Sequence, residues 1–333
     1  MASPLLSPRI AELPKAELHL HLEGSIHRLA LRTLLGRYGV KSPEQEARKR
    51  SSFRNFPEFL EAFKWVTSFL REPQDYALVA RDLAEHLVEQ NVVYAEVTLS
   101  VGVMLLRKQR PEANFEALLR ATEPFEHHKG LRLRWIFDAV RQFGAEAAMA
   151  VVESAKSCAS KSIVAFGIGG DELSVPTAEF RAVYDRAAEI GLHRLMHAGE
   201  MGGPEKIREA IELLAVERIG HGIAAIRDPA LMDLLAERKI PLEICPQSNL
   251  RTGALARQLA RENVQIEDHP LPALFRHGIP VAMSTDDPAM FRIKLREEYA
   301  NAAQMGLQES ELEQICAMGF QYAFHPSAKS QAP

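Results

Sequence analysis

The 333-residue chain carries 47% hydrophobic and 25% charged side chains, the balance of a globular protein with a sizeable core rather than of a disordered or fibrous one. Its formal net charge of −4 and pI near 6.3 give no basic field for a phosphate backbone, so a small molecule is the expected partner and nucleic acid is not. With no apolar stretch long enough to cross a bilayer, no leader in residues 1–14, and three scattered cysteines (Cys158, Cys245, Cys316) that build neither a disulfide framework nor a metal ribbon, the chain reads as cytoplasmic.

Short apolar or β-branched runs, each followed by turn residues and then a helical pattern, recur eight times: at 16–22, 92–99, 131–140, 163–168, 192–198, 218–221, 240–245 and 279–285. Between them, segments such as 75–90, 177–190, 204–215 and 228–238 repeat apolar residues at three- and four-residue steps, as amphipathic helices require. Eight such units predict an α/β fold, a closed (β/α)8 TIM barrel. A doubly wound sheet shares this grammar, but its Gly-X-Gly-X-X-Gly after the first strand is missing, and Gly167-Ile-Gly-Gly170 is a misplaced imitation.

The first crossover, residues 27–91, is far longer than one loop and helix need, so extra helices are expected over the C-terminal mouth of the barrel, as a lid. Within it Phe53, Phe56, Phe59, Phe63, Trp65 and Phe69 fall at helical spacing; most should pack that helix, and a share should line the pocket. The mixed-sign run 44–54 reads as a solvated helix face. No repeat or low-complexity linker divides the chain, so a single domain over 1–333 is expected.

The chemistry gathers at strand ends. In Glu17-Leu-His-Leu-His-Leu-Glu-Gly24 the two-residue period of a strand sends His19 and His21 to one face and the leucines to the other. His197-Ala-Gly-Glu200 ends the fifth strand, Gly220-His-Gly222 the sixth, and Ser284-Thr-Asp-Asp-Pro288 the eighth, so all these groups converge where barrel enzymes keep their active sites. His19, His21, His197 and one of the aspartates Asp286 and Asp287 suit one Zn²⁺ per chain, with an open position for a water whose pKa the metal lowers. Glu200 is placed to give a proton to a ring nitrogen, His221 to steer or deprotonate the water, and the second aspartate to bond it. The fourth strand offers no lysine to bridge a second metal; Gly169 and Gly170 present a backbone that a flat ring can approach. His27, His86, His127, His128, His193, His269, His277 and His325 fall elsewhere and read as structural or exposed.

Pro14–Gly24, His197–Glu200, Gly220–Gly222, Cys245-Pro-Gln-Ser-Asn249 and Ser284–Pro288 together resemble, in order and over nearly the whole chain, the adenosine deaminase family. The resemblance implies a mononuclear zinc barrel that deaminates a purine at C6. It makes His19, His21, His197 and Asp286 the ligands, Glu200 the proton donor to N1, and His221 and Asp287 the groups that orient the nucleophile. Gly170 would contact N3 through its backbone, and Glu23 would face the ribose side, where animal adenosine deaminases carry Asp. Phe59–Trp65, Leu99–Met104 and Asp286–Phe291 are most similar to the bacterial aminodeoxyfutalosine deaminases of menaquinone biosynthesis, whose substrate is an adenine nucleoside bearing a benzoate. That would need a cationic or aromatic distal pocket, for which Arg54, Lys64, Arg71 and Arg141 are candidates. The alternatives are an adenosine deaminase of purine salvage and a metal-binding barrel that has lost catalysis.

Overall fold

The computed structural model describes residues 6–50 and 53–331, so residues 51 and 52 of the mixed-charge run lie outside the described residues. Eight strands run parallel in sequence order: β1 (Lys15–His21), β2 (Val92–Leu99), β3 (Arg132–Val140), β4 (Ile163–Gly169), β5 (His193–Ala198), β6 (Arg218–His221), β7 (Leu242–Ile244) and β8 (Val281–Met283). The ring closes beyond β8, where Asp286 N donates to His19 O at 3.0 Å and His21 N donates to Asp286 O at 2.8 Å. The result is the (β/α)8 barrel that the eightfold rhythm implied. Its strands are apolar runs because a parallel sheet is covered on both faces.

β7 and β8 are shorter than their apolar runs. Ile240 N bonds back to Leu235 O of the preceding helix, and Pro241 has no N–H to offer the ladder. At the far end of β8 side chains replace backbone partners: Ser284 Oγ accepts from His19 N at 3.1 Å, and Glu17 Oε1 accepts from Thr285 N at 3.0 Å. The chain thereby leaves the ladder just where its functional residues begin.

Helices cover the barrel between strands, among them Pro204–Leu214 and Pro229–Arg238, each opened by proline at its first turn. Among the described residues the first crossover holds four α-helices: Arg28–Arg37, Pro43–Arg50, Phe56–Thr67 and Pro73–Glu89. Phe53 and Phe59 pack with Met290, Phe291 and Ile293 in a cluster separate from the main core, and the Phe59 and Phe291 rings stack at 5.2 Å. This pins Phe56–Thr67 across the segment that follows Asp287, at the barrel mouth. Phe69, by contrast, belongs to the main core, with Trp65 packed against it. Among the described residues no helix is long and apolar enough to cross a membrane.

Candidate metal and catalytic site

His19 and His21 share a face of β1, His197 ends β5, and Asp286 follows β8; one donor atom from each lies within 4.8 Å of every other. Asp286 Oδ1 stands 3.4 Å from His19 Nε2 and 3.3 Å from His21 Nε2, and the Nε2 atoms of His21 and His197 are 3.3 Å apart. Asp286 reaches this point through a left-handed backbone (φ +65°), a conformation that costs a non-glycine residue about 1–3 kcal/mol and recurs at functional sites.

The electrostatics call for a cation. Burial and the neighbouring imidazoles hold His197 well below its ordinary value. Burial would also lower His19 and His21, but the facing Asp286 carboxylate, with Glu243 helping at His19, outweighs it and lifts them to about 10 and about 9. The cluster thus gathers positive charge around Asp286, which a metal ion would supply in place of protons. His19 Nε2 is buried with no hydrogen-bond partner, while its Nδ1 is held by Glu243 Oε2 at 2.7 Å. A nitrogen oriented from behind and unpartnered in front is what a metal ligand presents. Three imidazoles and one carboxylate suit zinc.

Glu200, His221 and Asp287 ring this cluster. Burial, followed by the nearby Asp286 and Glu172 carboxylates, pushes Glu200 well above the usual carboxylate range, the direction that favours a proton donor. Its turn is clamped from both sides. Glu172 accepts from the N–H groups of Gly199, Glu200, Met201 and Gly202, and Gln258 Nε2 donates to Glu200 O and Gly202 O at 2.7 Å each. His221, also left-handed (φ +61°), places Nε2 3.7 Å from Glu200 Oε2 and 3.9 Å from Asp286 Oδ2. Asp287 Oδ1 is buried without a partner, and burial beside Asp286 pushes its carboxyl well up.

These groups open onto one cavity, a void of about 850 Å³ that includes open solvent at its mouth. His21, His197, Glu200, His221, Asp286 and Asp287 line it together with Gly169 and Gly170 and with the apolar side chains Phe56, Phe59, Leu60 and Phe63. Gly170 has φ +97°, open to glycine, and a Cβ there would meet Gln142 Oε1.

Glu23 is buried beside the site: its Oε1 accepts from the N–H of Ser100 at 2.9 Å, its Oε2 has no hydrogen-bond partner, and Ser100 lines the cavity. Of the four distal cations only Lys64 lines the cavity, with its Nζ 2.7 Å from Glu61 Oε1. Arg54 is exposed and paired with Glu58, Arg71 lies over the Tyr38 ring, and Arg141 is buried against Val175 O and Thr177 Oγ1. These three long side chains found local acceptors, which sequence position cannot foretell. His27, Asp82 and His86 also gather, but the two rings stack plane on plane at 3.6 Å; their in-plane lone pairs cannot converge on one ion, so the group reads as structural.

Sequence reasoning missed Asp138 and Gln142, which line the cavity, and Asn249 and His269, which stand behind His221. Asp138 lies two residues before the end of β3, and burial lifts its carboxyl to about 7. A carboxylate near the C-terminal end of a strand, after the apolar run Trp135–Phe137, was the available signal.

Comparisons with known proteins agree with this geometry. Residues 14–332 match the family model described as adenosine deaminase. An aminodeoxyfutalosine deaminase of Streptomyces coelicolor is 36% identical over 95% of this chain and 81% of its own length. An adenosine deaminase of Yersinia pseudotuberculosis is 32% identical over 98% and 97%. The crystal structure of an adenine deaminase from Arthrobacter aurescens superposes with a TM-score of 0.87 at 27% identity, covering 96% of this chain and 98% of that one.

Proposed function

The chain belongs to the adenosine deaminase family and is a hydrolytic purine deaminase; from that premise we propose that it converts 6-amino-6-deoxyfutalosine to futalosine and ammonia, a step of menaquinone biosynthesis. The observation that carries the substrate is the cavity lining, which includes the apolar side chains Phe56, Phe59, Leu60 and Phe63 and the cation Lys64. An aromatic group ending in an anion suits such a lining, and adenosine has nothing to place there. The 36% identity to a protein of that name supports the same reading. Adenosine as the main substrate is the second reading, favoured by the 32% identity to the Yersinia enzyme.

In the proposed mechanism one zinc ion is held by His19, His21, His197 and Asp286. When bound it supplies a water acidic enough to serve as nucleophile at neutral pH. Asp287 and His221 hold that water against purine C6. The Gly170 backbone meets the ring edge at N3, and Glu200 gives a proton to N1, so that C6 becomes electrophilic as the oxygen adds. Of the two protons of the added water, one reaches the 6-amino group, which leaves as ammonia as the C6–N bond breaks, and the other returns to Glu200 as the C6 oxygen becomes a carbonyl. Glu23 acts indirectly at the sugar side, by fixing the N–H of Ser100. We take residues 1–333 as one domain in which 27–91 form the lid, and the three free cysteines as packing residues of a cytoplasmic enzyme.

The test is ammonia release by zinc-loaded protein given aminodeoxyfutalosine, adenosine and adenine separately. A kcat/KM highest for aminodeoxyfutalosine, and lowered chiefly for that substrate by Lys64→Met, is expected. A preference for adenosine establishes the second reading, and a zinc-loaded protein inert toward all three sinks the purine assignment for this site.

A further inference from the structure

Asn249 closes the Cys245-Pro-Gln-Ser-Asn249 motif, and neither it nor His269 lines the cavity. Both are buried behind His221 in a chain of hydrogen bonds that begins at a backbone N–H. Leu271 N donates to His269 Nδ1 at 3.1 Å. A backbone N–H can only donate, so His269 Nδ1 carries no proton and the ring's proton sits on Nε2. That Nε2–H lies 3.2 Å from Asn249 Oδ1 and donates to it. The carboxamide is thereby turned with its NH₂ toward His221, where Nδ2 lies 3.1 Å from Nδ1 and donates to it. Reversing any one bond would set two N–H groups face to face at His269 and Leu271.

We propose that this relay locks His221 with its proton on Nε2, so that His221 donates a hydrogen bond to the attacking water and is not the base that deprotonates it. Asn249 and His269 are then positioning residues for the reaction. The inference rests on the deaminase reading given above and settles an alternative left open by position alone, since a ring at a strand end could do either. A nitrogen that already bears hydrogen cannot take another. The proton lost by water as its oxygen bonds to C6 therefore passes to a carboxylate of the Asp286–Asp287 pair, and from there to the departing amine. His221 Nε2–H meanwhile holds a lone pair of the same oxygen.

The experiment combines nitrogen NMR of ¹⁵N-histidine-labelled, zinc-loaded enzyme, the His221 signals being assigned by their loss in His221→Gln, with kinetics of two variants. In the wild type His221 should show an unprotonated Nδ1 and a protonated Nε2. Asn249→Asp puts an acceptor opposite Nδ1 and should draw the proton there, lowering kcat by about 100-fold or more while KM and zinc content stay near wild type, as expected when a catalytic imidazole is held in the wrong tautomer. Asn249→Ala removes more contacts but imposes no tautomer, so it should be less impaired than Asn249→Asp; a merely structural role predicts the opposite order. A wild-type His221 protonated on Nδ1, an unimpaired Asn249→Asp enzyme, or an alanine variant worse than the aspartate one overturns the proposal. A wild type inert toward every adenine nucleoside overturns the functional reading, and this role of His221 with it.

Discussion

Gly24 ends the first-strand motif, and the space above its Cα is filled by Asp287. A Cβ added there would overlap the Asp287 carboxylate and lie 2.5 Å from Asp287 Cβ. Carbon atoms at contact stand about 3.5–4.0 Å apart, so Gly24→Ala must drive the two residues apart by about 1 Å or more. Gly24 is not among the glycines with positive φ, so alanine meets no backbone penalty and the effect is purely steric. Asp287 begins the turn into Pro288–Phe291, which packs against the helix Phe56–Thr67, so the displacement falls on its carboxylate. A misplacement of about 1 Å can cost about 10²-fold in rate. Gly24→Ala should therefore lose about 100-fold in kcat/KM with zinc still bound near one per chain. Because the loss runs through Asp287, Gly24→Ala/Asp287→Ala should be no slower than Asp287→Ala alone, when steady-state kinetics of all three are compared. Activity within a few-fold of wild type, or a double variant slower than Asp287→Ala by the full Gly24→Ala factor, would refute the reasoning.

Glu200→Gln keeps the turn clamped by Glu172 and Gln258 but has no proton to give N1; turnover should fall about 10²–10⁴-fold or more while metal analysis still finds zinc. His197→Ala should instead lower bound zinc itself, and full occupancy in that variant would show that the ligand set is misassigned. Glu298 tests the barrel wall: burial lifts its carboxyl from 4.5 to about 8, so the folded protein keeps this proton after the unfolded chain has released it. Stability should then fall as pH rises from about 4.5 to 8 and level off above, by several kcal/mol at most at ~1.4 kcal/mol per unit. Glu298→Gln should flatten that part of a Tm–pH curve, and an unchanged curve would contradict it.

The barrel was legible because its strands are buried on both faces and stand out as apolar runs, so the ends of β2 and β6 follow from the sequence to the residue. The ends of β7 and β8 do not, because Pro241, Ser284 and Glu17 redirect backbone hydrogen bonds that no apolar pattern records. His19 and His21 could be placed on one face by the period of a strand, and Glu200, His221 and Asp286 by their position at strand ends. The groups that act through other residues were not legible. Glu172 stands 28 residues from Glu200, whose N–H it holds, and His269 stands 48 from His221. Only the folded chain brings a side chain to a backbone N–H so far away. Lys64 could not be separated from Arg54, Arg71 and Arg141 for a related reason: a long cationic side chain goes to whichever acceptor folding brings near.

The central claim is a purine deaminase that works with a single metal ion. Metal-stripped protein titrated with zinc, while loss of the amino group from an adenine nucleoside is followed, tests it most directly. Activity that rises in proportion to added zinc and breaks at one equivalent per chain is the predicted result. A break at two equivalents, or full activity with no metal added, would contradict it.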